Sequence, residues 1–123
     1  MISHLVRASV LASICVGVFA TAAPARTIYD GSWSVLIVTQ RGNCDRAFRY
    51  GVDIVNGRVV YSGGIVNFSG NVSSGGQVRV AVSSGSARAN GSGRLNRNVG
   101  RGSWSGVSGS DRCSGYWEAE RRG

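Results

Sequence analysis

The stretch Gln77-Val78-Arg79-Val80-Ala81-Val82-Ser83-Ser84-Gly85-Ser86-Ala87-Arg88-Ala89-Asn90-Gly91-Ser92-Gly93-Arg94 decides the fold. Val78, Val80 and Val82 alternate with Gln77, Arg79 and Ala81, a period of two that sets one apolar face against one polar face of a β-strand. Ser84-Gly85 turns the chain. Ala87, Ala89, Gly91 and Gly93 then alternate with Arg88, Asn90, Ser92 and Arg94, so the next strand has one very small face and one polar face.

The same period extends outward in both directions, with turn residues every 8 to 12 positions, and helical periodicity is absent. Upstream, Trp33, Val35 and Ile37 share a face of a first strand over residues 33–39. Phe48, Tyr50, Val52 and Ile54 share a face of a second, which ends at Asn56-Gly57, a dipeptide suited to a type I′ hairpin. Residues 58–61 form a short third strand, and Val66, Phe68, Gly70 and Val72 share a face of the fourth. Downstream, a seventh strand covers residues 100–107 and an eighth residues 112–121. Eight short strands in sequence order predict an all-β, eight-stranded antiparallel up-and-down barrel, with a seven-stranded sandwich as the alternative.

Residues 1–25 read as a signal peptide: Arg7 is the positive n-region, residues 8–20 the apolar h-region, and Ala23-Pro24-Ala25 a small-x-small cleavage site. Thirteen apolar residues fall short of the roughly 20 that span a bilayer, so no transmembrane anchor is expected in the mature chain. Ile14 before Cys15 argues against a lipoprotein signal. Residues 26–123 are then one domain, periplasmic or secreted. Of the 14 basic residues, all Arg, 13 remain after loss of Arg7 against six acidic ones, a net charge of +7 that suits anionic partners.

The single His, His4, and the single Met, Met1, both lie in the leader. Without imidazole the mature domain cannot assemble a Ser-His-Asp or Cys-His nucleophile or ligate a metal through His, so neither enzyme activity nor a metal or other cofactor is expected. Tyr29, Tyr50, Tyr61 and Tyr116 read as packed strand aromatics rather than haem ligands. Glu118 and Glu120 lie on one strand face at a spacing within the range of glycosidase carboxylates, but on the outward face. Gly91-Ser92-Gly93-Arg94 lacks the Lys and the following helix of a phosphate-binding P-loop.

Cys44 and Cys113 survive processing and are expected to form a disulfide in an oxidising compartment. The pairing also tests the barrel, because in a closed meander the first and eighth strands are antiparallel neighbours. Cys44 follows the first and Cys113 opens the eighth.

Gly-x-Trp occurs three times, as Gly31-Ser32-Trp33, Gly102-Ser103-Trp104 and Gly115-Tyr116-Trp117, on strands that closure makes contiguous. The three indoles are expected to form one aromatic wall. Trp33 opens the first strand where Arg121 closes the eighth. This Gly-x-Trp, with an arginine of the last strand over its indole, resembles the calycin barrels: lipocalins, avidins and bacterial metalloprotease inhibitors. The chain also resembles short exported bacterial proteins of unassigned function.

The resemblance implies a non-enzymatic binding protein that takes a small apolar ligand inside, or a protein such as a protease at its rim. Trp33, Trp104, Trp117, Tyr50 and Phe68 are the expected ligand-binding residues, and the small face of the sixth strand is expected to leave room for the ligand. The alternative is a basic surface-binding or structural envelope protein that holds a polyanion through Arg88, Arg94, Arg97 and Arg101. Export argues against nucleic acid as that polyanion.

Overall fold

A computed structural model describes residues 26–61, 63–64 and 66–123; the proposed signal peptide lies outside the described residues. Eight strands follow one another in chain order: β1 (Gly31–Arg41), β2 (Ala47–Val55), β3 (Arg58–Val60), β4 (Asn67–Val72), β5 (Gln77–Ser84), β6 (Ala87–Asn96), β7 (Val99–Ser108) and β8 (Asp111–Arg121). Each pairs antiparallel with the next, and β1 pairs with β8, closing the barrel in up-and-down order. Closure removes the exposed edges a sandwich would keep, and the sandwich alternative is excluded.

Tight turns set this order. Asn56 and Gly57 both adopt positive φ, at 51° and 77°, as a type I′ hairpin requires. Several strands run longer than the alternation marked: β1 begins at Gly31 and reaches Arg41, while β3 is shorter and stops at Val60. The β3–β4 ladder holds one register pair, Arg58 with Asn71.

One end is packed and the other open. Tyr29, Trp33, Val52, Ile54, Val59, Val72, Val78, Leu95, Trp117 and Ala119 form the buried core. Val35, Ile37, Tyr50, Phe68, Val80 and Trp104 point inward above it but stay partly exposed.

The closed end is capped by the segment before β1. The Trp33 indole N–H donates to the Tyr29 carbonyl at 2.8 Å, and the Arg121 guanidinium lies 4.7 Å from the centroid of the Trp33 ring. Arg121 also donates from Nη1 to the Asp30 carbonyl at 2.8 Å and from Nη2 to the Ile28 carbonyl at 2.7 Å. The Asp30 carboxylate accepts from the backbone N–H of Asn56 and Gly57, tying this cap to the β2–β3 hairpin.

Cys44 and Cys113 are bonded, with Cα atoms 6.1 Å apart. The bond fastens the β1–β2 loop to β8 beside the β1–β8 seam, at the end away from Trp33.

Candidate ligand cavity

The register of β7 and β8 explains two of the Gly-x-Trp motifs. Gly102 pairs with Trp117 and Trp104 with Gly115, so each indole sits opposite the other motif's glycine. A Cβ on Gly93 or Gly102 would lie 2.5 Å from the Trp117 ring, and one on Gly102 would also strike the Ser92 carbonyl. These glycines leave the volume that one large side chain fills. Trp117 then reaches across β7 and donates its N–H to the Ser92 carbonyl of β6 at 3.2 Å.

The three indoles do not form one wall, and the expectation is corrected here. Trp33 pairs with Arg121, Ile37 with Trp117, and Thr39 with Gly115, itself opposite Trp104. Along β1 the indoles therefore rise from closed end to open end by about 13 Å and then about 7 Å, at ~3.3 Å per residue. The ring–ring pairs lie elsewhere: Phe48 stacks on Tyr50 at 5.4 Å, Tyr50 meets Tyr61 edge-on at 5.6 Å, and Tyr61 meets Phe68 at 5.5 Å.

The expectation about the small face of β6 is corrected in part. Gly93 is filled by Trp117, whereas Ala87, Ala89 and Gly91, toward the open end, line a cavity of about 380 Å³. Trp117, Trp33, Ile54 and Leu95 lie at its floor, and Val35, Ile37, Tyr50, Phe68, Val80 and Trp104 along its walls. Thr39, Asp45, Ser83, Ser84 and Ser108 bring polar atoms to its lining toward the open end, beside Cys44, and Arg88 and Asn90 of β6 also border it. The volume equals roughly a dozen waters at ~30 Å³ each and lies within the usual size of small-molecule sites.

The cavity wall offers little hydrogen bonding. All three indole N–H groups are already committed to backbone carbonyls, Trp104 to that of Val38 at 3.0 Å. No buried side-chain N or O among the described residues lacks a partner. Thr39 Oγ1 donates to the Asp45 carbonyl at 2.6 Å, holding the β1–β2 loop against β1. Burial pushes the Tyr50 phenol above its ordinary value of 10.0, with Tyr61 and Asp45 adding to the shift, so Tyr50 stays neutral at physiological pH. The arrangement can hold an uncharged apolar body through dispersion and the hydrophobic effect.

All five expected ligand residues line the cavity. Their parts differ: Trp33, 2% exposed, plugs the closed end, Trp117 is the floor, and Trp104, Tyr50 and Phe68 are wall. Phe48, Val66 and Val82 also line it and were not singled out from sequence, although the alternation of their strands assigns them the same inward face. Among the described residues no group of three or more His, Cys, Asp or Glu is placed to hold a metal ion.

The four candidate anion-binding arginines are exposed and do not form one cluster, and Arg88 also borders the cavity. Arg94 and Arg101 are directly opposite each other on β6 and β7, and Arg97 sits in the turn beyond them. Arg88 is six residues back along β6, about 20 Å away at ~3.3 Å per residue.

Fold and cavity together define a closed, eight-stranded up-and-down barrel with an apolar interior site, compatible with a calycin-like build. No family model, no curated protein and no solved structure matches the chain. Among the described residues no helix is long and apolar enough to cross a membrane.

Proposed function

We propose that this protein is an exported, non-enzymatic carrier or sequestering protein of calycin kind that binds a small apolar ligand inside its barrel. The observation that carries the reading is the cavity of about 380 Å³ above the Trp117 floor, lined mainly by aliphatic and aromatic side chains. Its polar lining groups lie toward the open end, so a ligand with an apolar body and a modest polar end fits best. The Cys44–Cys113 bond supports export, because such bonds persist in oxidising compartments.

The test is ligand capture followed by obstruction. Native mass spectrometry of the protein purified from its own host is expected to show a retained apolar molecule. Titration with medium-chain alcohols or a hydrophobic dye is expected to change Trp104 and Trp117 fluorescence. Ala89→Leu, which places a larger side chain into the cavity, is expected to abolish both signals while raising the thermal midpoint. Ligand binding that persists unchanged in Ala89→Leu places the ligand elsewhere and refutes the reading.

A further inference from the structure

The outer face of β6 and β7 poses a problem that the cavity does not solve. β6 runs ten residues, Ala87–Asn96, without one β-branched or aromatic side chain, although it is paired on both sides. Strands ordinarily favour such residues, and Ser, Asn and Gly are poor substitutes. The small inward face serves Trp117 and the cavity, but the outward face is free to carry Thr, Val or Tyr at no steric cost. Instead it carries Arg88, Asn90, Ser92 and Arg94, facing Ser103, Ser105 and Arg101 across the ladder.

One pair of charges on this face is arranged against folding stability. Arg94 is directly opposite Arg101, and like charges at that spacing destabilise a strand pair; Glu118, opposite Arg101 on β8, offsets part of this, while Arg94 faces the uncharged Gln77 on β5. Arg79, opposite Ser92 on β5, is the diagonal neighbour of Arg94, about 7–8 Å away. Of the arginines among the described residues only Arg49 and Arg121 donate side-chain hydrogen bonds, so these three guanidinium groups keep their donors free. At the other end of the face Arg88 and Arg112 lie in one row, each paired with Val107. Two groups of arginines thus bracket a field of hydroxyl and amide groups about 20 Å long.

We propose that this face binds an anionic polysaccharide, with the bracketing arginines on its acidic groups and the Ser and Asn side chains on its hydroxyls. A guanidinium fork matches carboxylate or sulfate, and an anion between Arg94 and Arg101 turns their repulsion into a favourable contact beyond what Glu118 relieves from the β8 side. Tyr116, opposite Ser103 and 37% exposed, supplies one ring on which the C–H face of a sugar can lie. A single-stranded nucleic acid calls for successive stacking rings, and a bilayer surface for apolar side chains to insert. Neither is found among Asn90, Ser92, Ser103 and Ser105. The Arg94–Arg101 end of the face lies outside the cavity, whose lining Arg88 and Asn90 also reach.

The experiment measures binding of the full protein to polygalacturonate, with neutral dextran, duplex DNA and vesicles containing anionic lipid in parallel. Two double variants remove the same charge: Arg94→Gln with Arg101→Gln on the face, and Arg46→Gln with Arg122→Gln away from it. The face variant is expected to lose at least about tenfold in affinity for polygalacturonate and the remote variant less than about twofold. Asn90→Ala with Ser103→Ala is expected to weaken binding further without changing its salt dependence. Ala89→Leu is expected to leave it unchanged, which separates this site from the cavity. Equal losses in the two arginine variants would reduce the effect to net charge and overturn the proposal. Tighter binding to DNA or vesicles than to polygalacturonate, or equal binding to dextran, overturns it as well.

Discussion

Truncating Arg121 to Ala removes a ring contact and three hydrogen bonds at the closed end in one step. The guanidinium over Trp33 contributes roughly 0.5–2 kcal/mol, and we take the lower half because the arginine is partly exposed. Its bonds to the carbonyls of Asp30 and Ile28 and to Asn98 Oδ1 are charge-assisted but reach solvent, so about 0.5 kcal/mol each is appropriate. The sum is about 2–3 kcal/mol, which for a domain of this size lowers the thermal midpoint by roughly 10–20 °C. Arg121→Lys keeps the charge but not the fork that reaches three acceptors, and is expected to fall between the two. Circular dichroism melts of the oxidised protein give the midpoint. Trp33 fluorescence in a Trp104→Phe, Trp117→Phe background reports whether the cap has opened. An Arg121→Ala midpoint within about 2 °C of wild type, with Trp33 emission still that of a buried indole, would refute the clamp.

Other consequences follow from equally local features. Replacing Cys44 and Cys113 by Ala releases a loop spanning 69 residues and is expected to cost about 4 kcal/mol in the chain-entropy account, read by urea denaturation. Gly102→Ala sets a Cβ against the Ser92 carbonyl and the Trp117 ring and is expected to cost about 1–3 kcal/mol, whereas Gly51→Ala, with open space around it, is neutral or slightly stabilising. Desolvation works against the Asp30 charge, but hydrogen bonds from Thr27, Gly57 and Asn56 outweigh it and hold the carboxyl below its ordinary 3.8. Its contribution is therefore complete above that value and lost as pH falls through the lower folded value. The difference in thermal midpoint between wild type and Asp30→Asn is expected to shrink on acidification from pH 5 to pH 2.

The barrel was legible because its signals are local. Alternation in β5, Asn56-Gly57 and the placement of Cys44 and Cys113 about the seam each specify a pairing that the register reproduces. The contact of Arg121 with Trp33 was legible for the same reason, since closure alone sets them opposite each other. The arrangement of the indoles was not. Which glycine an indole covers depends on the register between β7 and β8 and on the direction each ring takes, and sequence spacing fixes neither. The same gap hid the division of the small β6 face between Trp117 and the cavity. The arginines illustrate a third limit: Arg94, Arg97 and Arg101 are close in sequence, but the hairpin sets two of them face to face and leaves the third at its tip.

The distribution of stabilising features bears on why the interior is left unfilled. At ~24 cal/mol per Å³, a void of about 380 Å³ corresponds to about 9 kcal/mol against a packed interior, an upper figure because the mouth admits water, and comparable with the whole stability of a small domain. Larger aliphatic residues at Ala87 and Ala89 would occupy much of that space, and nothing in the backbone of β6 prevents them. The chain instead places its strongest constraints at the two ends, the disulfide at the rim and the Arg121–Trp33–Asp30 cap below. Rigid ends keep the walls apart without help from a filled middle. A ligand that enters only the folded barrel restores stability by mass action, about 2.7 kcal/mol at a hundred times its dissociation constant. Ala89→Leu is therefore expected to gain stability and lose binding together, and this opposition of signs is what a cavity kept for a ligand requires.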